Sequence, residues 1–105
     1  MVEVVKWNSP EFTEAFLVWT AWGKNIMPRR DDSLVIAHFG AEVASKLLPA
    51  IKAMMDEFYT SDAKYTAANL EEMGVKAIGE FKAKHPDVAD DVLKALAWCY
   101  TFDFL

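Results

Sequence analysis

Met27-Pro28-Arg29-Arg30-Asp31-Asp32 gathers both arginines of the chain; the other nine basic residues are lysines. A guanidinium is a planar fork of five N–H donors that can grip a carboxylate or phosphate bidentately, which an ammonium cannot do. The segment follows the end of a helix carrying Trp19 and Trp22, and it precedes a new helix N-terminus, where free amides and the dipole favour anions. Arg29, Arg30, Trp19 and Trp22 are therefore the candidate residues for recognising an anion or a partner. The local alternative is that the arginines pair with Asp31, Asp32 or a distant carboxylate and merely fix the loop.

Other chemistries find less support. Ser9, Ser33, Ser45 and Ser61 are the serines, three of them where caps or turns belong, and none lies in a G-x-S-x-G elbow. Cys99 lies in the apolar run Ala97-Trp98-Cys99-Tyr100, where a buried thiol is expected, and nothing in the sequence pairs it with His38 or His85. His38 and Glu42 share a helix face, but two ligands fall short of the four a structural zinc site takes, and Lys46 is a ready partner for Glu42. Gly74-Val75-Lys76-Ala77-Ile78-Gly79 resembles a phosphate loop only until Glu80 and Phe81 stand where Lys and Ser or Thr are required. The paired carboxylates Asp31-Asp32, Asp56-Glu57, Glu71-Glu72 and Asp90-Asp91 are neighbours that diverge around a helix and cannot form an acid/base dyad. No catalytic, cofactor-binding or metal-ligating residue is assigned.

Composition narrows the class further. Residues 1–105 are the length of one domain, and a hydrophobic share of 53% argues against disorder. A net charge of −5 disfavours nucleic acid and anionic membrane surfaces, which need cations, and leaves basic proteins and small molecules open as partners. No apolar stretch approaches the roughly 20 residues a membrane span needs, no signal peptide is visible, and a lone thiol fits a reducing compartment. A cytoplasmic location is expected.

The elements that must position these residues are helices. Ser9-Pro10-Glu11 opens the first, with Phe12, Ala15, Phe16, Trp19 and Trp22 at helical spacing and an end near Gly23-Lys24-Asn25. Leu17, Val18 and Ala21 are apolar too, so the helix is either central in the fold or shared with a second copy through Phe16, Leu17, Val18 and Trp22. Asp31-Asp32-Ser33 caps a second helix, with Val35, Phe39, Val43 and Leu47 on one face, Gly40 a weak point, and Pro49 a kink or a new start. A third helix carries Leu70, Met73, Ala77 and Phe81 and stops at His85-Pro86. Asp87 can cap a fourth, with Val88, Val92, Leu93, Leu96 and Cys99. Four acids precede a lysine by four positions (Glu42–Lys46, Glu72–Lys76, Glu80–Lys84 and Asp90–Lys94), the favourable order on a solvated helix face.

Trp98, Tyr100, Phe102 and Phe104 alternate with less apolar neighbours at a strand period, and Val2 to Trp7 is short and β-branched, so the termini could pair as a small two-stranded ribbon. The expected fold is mainly α: a compact bundle of four to five helices, with that ribbon as its one β element. Phe16, Phe39, Leu70, Phe81, Leu93 and Leu96 should form the core. The expected function is a non-enzymatic protein-interaction module: an adaptor, or an inhibitor or immunity-type partner of a basic protein surface. The alternative is a small helical enzyme or ligand-binding protein with its pocket between helices.

Overall fold

The computed structural model describes residues 5–104, and among them every regular element is helical. α1 spans Pro10–Thr20, α2 Asp32–Phe39, α3 Ala41–Phe58, α4 Ala63–Thr66, α5 Leu70–Lys84 and α6 Asp90–Asp103; α4 is a single turn. Three starts follow from side-chain caps. Ser9 accepts from the Phe12 amide at 3.1 Å, Asp31 from the Ser33 amide at 2.9 Å, and Asn69 from the Glu72 amide at 2.8 Å. α6 starts on Ala89 with no side-chain bond, so Asp87 is not its cap.

Two helix ends differ from expectation, each through a backbone conformation. α1 stops at Thr20, short of Gly23, because Ala21 takes the left-handed conformation (φ 61°). The Ala21 amide then reaches Val18 O and the Trp22 amide reaches Leu17 O, both at 3.2 Å, so the last turn's carbonyls are satisfied. The helix read as running on from Asp31 is divided at Gly40, whose φ 87° and ψ 157° only glycine adopts without strain. Its amide closes α2 on Ile36 O at 2.8 Å, and its carbonyl opens α3 by accepting from Ala44 at 3.0 Å. Pro49 lies inside α3, which continues through it.

The proposed C-terminal strand is helix as far as Asp103. Alternate positions in this stretch are also i and i+4 partners: Trp98 with Phe102, and Tyr100 with Phe104. Tyr100 is fully buried and Trp98 packs edge-on against Trp22 at 5.2 Å, whereas Phe102 and Phe104 are exposed. The N-terminal partner strand falls partly on residues 1–4, outside the described residues. Trp7 lies in a turn, stacked on Phe81 and against His85. No ribbon forms among the described residues.

α1 lies between α2 and α6, α3 runs beside both α2 and α1, and α5 packs on α6. Phe58 of α3 links the layers, with Phe81 at 5.5 Å and Tyr100 at 5.6 Å. Phe16, Phe81, Leu93 and Leu96 are in the core as expected. Phe39 is only half-buried at the end of α2, and Leu70, the first residue of α5, is 40% exposed. The buried polar groups are satisfied: the Thr20 hydroxyl donates to Phe16 O, and Tyr100 donates to Ser61 O and accepts from the Lys64 amide. Among the described residues no helix is long and apolar enough to cross a membrane.

Candidate interaction groove

Pro10, Thr13, Glu14, Leu17, Val18, Ala21 and Trp22 step by three and one along the chain and so share one side of α1 and its cap. The opposite side, Phe12, Ala15, Phe16 and Trp19, fills the core. α1 is therefore not wholly central, and of the four residues named for a surface shared with a second copy, Phe16 is fully buried within its own chain. Leu17, Val18 and Trp22 stay half-buried.

α2 forms the facing wall through Leu34, Ala37 and His38, and an open groove of about 920 Å³ separates the two helices. Three contacts set their spacing. Trp19 donates its indole N–H to Asp32 at 2.9 Å, the Asp31 amide reaches Trp19 O at 3.1 Å, and His38 Nε2 lies 3.0 Å from Glu14 Oε1. The pairings 32 with 19 and 38 with 14 make the walls antiparallel. Asp32 also accepts from Lys52 at 3.0 Å, and the Trp19 and Lys52 bonds hold its carboxyl below the usual range.

The arginine segment closes one end. Arg29 lines the groove with Lys24 and Asn25; it is half exposed, and its guanidinium gives Asp31 one hydrogen bond at 3.4 Å. Arg30 turns away with φ 49°, and its Nη1 donates to Asp103 Oδ2 at 2.6 Å at the end of α6. Tyr59 donates to the same oxygen at 2.6 Å. Burial would raise the Asp103 carboxyl, but the bonds from Arg30 and Tyr59 and the Arg30 charge outweigh it and hold the pKa below its ordinary value. Burial, then the bond to Asp103, raises the Tyr59 phenol, which stays a donor.

Of the four residues singled out in the sequence, Arg29 and Trp22 border the groove. Trp19 and Arg30 lie behind it, with their polar groups engaged. Leu34 and Ala37 were missed, because α2 shows no clear apolar side until α1 is set against it. The apolar excess at Leu17, Val18 and Ala21 was the one signal of a groove.

Elsewhere, His85 is bonded to Glu57 and wedged between Trp7 and Phe81, and the cleft beside that pair holds about 20 Å³, room for about one water. Cys99 is fully buried, and burial pushes its thiol up to about 12. Among the described residues no three His, Cys, Asp or Glu converge as metal ligands; His38 turns to Glu14 rather than to Glu42. Glu72 and Lys76 pair at 3.0 Å, whereas Asp90 is met by Lys82 at 3.7 Å. No family model, curated protein or solved structure matches the chain.

Proposed function

We propose that the chain is a non-enzymatic protein-interaction module, an adaptor or an inhibitor or immunity-type protein, that engages its partner through the groove between α1 and α2. The carrying observation is the stripe of Leu17, Val18 and Ala21, which α2 approaches but does not cover. An apolar helix face left open beside a second helix is a standard seat for a partner's side chains. Ile26 and Met27, 93% and 54% exposed in the loop after Trp22, extend the apolar area beyond the groove. The net charge of −5 supports a partner whose surface around the contact is basic, and the free thiol of Cys99 suits a cytoplasmic setting.

A small-molecule pocket is the second reading, because the groove volume lies within the ~300–1,000 Å³ usual for ligand sites. It is less well supported, since such sites enclose most of their ligand and this groove is open. A photoreactive benzoylphenylalanine at Asn25, exposed at the end of the groove, with the same residue at Lys94 on α6 as control, tests the module. We expect a discrete protein adduct from position 25 alone. Equal labelling from both positions, or none from either in the native extract, would refute the assignment.

A further inference from the structure

We propose that the groove's occupant is an amphipathic helix of about three turns from a partner protein, carrying a carboxylate side chain in the turn that meets Lys24 and Arg29. The inference rests on the interaction-module reading and specifies its partner. The α1 wall from Pro10 to Ala21 is roughly 17 Å long at 1.5 Å per residue, the length of three helical turns. Neither wall offers free backbone donors and acceptors, because both are helices. An extended peptide would find no edge to pair with, whereas a helix brings its own backbone bonds and needs only side-chain contacts. Ala21 and Ala37 leave low points between Leu17, Val18 and Leu34, where a partner's Leu or Ile can enter.

Charge supplies the polarity. On an acidic chain, this end of the groove is cationic: Lys24 is exposed, and the single 3.4 Å bond from Arg29 to Asp31 leaves most of its donors for a second carboxylate. The other end carries Glu14, bridged to His38. A helix bearing an acid at one end matches this arrangement in one direction only. An alkyl carboxylate would meet the cations equally well but would lay its tail in an open, wetted groove and end it at the Glu14–His38 pair.

The test uses fluorescein-labelled peptides of 14 residues with Leu or Ile at i, i+3, i+4, i+7 and Glu, Gln or Lys in either the first or the last turn, read by anisotropy. One of the two Glu peptides should bind about tenfold or more tighter than its Gln and Lys counterparts, the span one charge-assisted pair supplies. Lys24→Glu/Arg29→Glu, its fold checked by circular dichroism, should transfer the preference to the Lys peptide. Ala37→Trp, which fills the groove, should weaken all of them. Equal binding of Glu and Lys peptides overturns the charge assignment. No binding by any peptide, while position 25 still yields a protein adduct, overturns the helix and leaves the module standing. Loss of the adduct as well removes both. A concentration-dependent dimer in sedimentation that Ala37→Trp abolishes, or displacement of every peptide by an alkyl carboxylate at equal concentration, overturns the proposal in favour of a second copy or a lipid.

Discussion

Asp103 ends α6 with a negative charge where the helix dipole favours a positive one, so by itself it destabilises its helix. Its two bonds reverse that. A hydrogen bond to an ionised group contributes about 1.5–3 kcal/mol when buried, and an exposed ion pair about 0–1 kcal/mol. The Arg30 and Asp103 side chains are 29% and 27% exposed, between those limits. About 1 kcal/mol for the Arg30 pair and about 1 kcal/mol for the Tyr59 bond are reasonable, less about 0.5 kcal/mol for relieving the dipole conflict. Asp103→Ala should therefore cost about 1–2 kcal/mol, a fall of roughly 5–15 °C in Tm for a domain of this size. Urea titrations of Arg30→Ala, Tyr59→Phe, Asp103→Ala and the two double variants with Asp103→Ala should give coupling energies of about 1 kcal/mol each. The pH dependence has a fixed sign. The folded carboxyl lies below its ordinary 3.8, so the stabilisation is fully present above that value and is lost as pH falls through the folded pKa. The gap between the native chain and Asp103→Asn should be constant above about pH 5 and shrink below about pH 4. Couplings below about 0.3 kcal/mol, or a gap that does not change with pH, would refute the argument.

Leu96 is fully buried, so Leu96→Ala should cost about 2–5 kcal/mol in denaturant titration; a loss under about 1 kcal/mol would mean the site collapses around the deletion. Ala21 holds a left-handed conformation that glycine takes freely, and Ala21→Gly should gain about 0.5–1 kcal/mol net of the added unfolded-state entropy. Cys99, buried and with its thiol pushed up to about 12, should resist a disulfide reagent at neutral pH until the chain unfolds, so labelling should track the urea transition.

Where side chains decide an element, the sequence is readable. Ser9-Pro10 and Asp31 each place a helix start. Where backbone conformation decides, it is not. Gly40 reads as a mildly unfavourable helix residue, yet its φ and ψ make it the boundary of two helices, and Ala21 has no composition signal for the left-handed cap it forms. At the C-terminus a spacing of two coincides with helical pairing at four, and only packing against α1 separates the alternatives. The candidate site divides the same way. The arginine pair stands out by type, but the carboxylate that takes Arg30 lies 73 positions away on a segment first read as strand.

Ala21 and Arg30 are the described non-glycine residues with positive φ, and they bracket the loop that brings Lys24 and Arg29 to the groove. Such a conformation costs about 1–2 kcal/mol per residue, so each end of the loop needs something to hold it. At Ala21 the holding bonds are the two amides that close α1; at Arg30 they are the Asp103 carboxylate and, through it, Tyr59. Between them, the Arg29 amide on Thr20 O at 3.0 Å keeps the strand of loop against the end of α1. Adjacent arginines therefore separate into different work. The left-handed turn at Arg30 sends its fork back to α6, and the same turn leaves Arg29 facing the groove with a weak local bond. A loop pinned at both ends would present its cations without first having to order, which would lower the entropic cost of the proposed recognition. The Arg30–Asp103 pair thus supports the groove indirectly. Loosening it should weaken any occupant that depends on Arg29, even though Arg30 itself touches nothing in the groove.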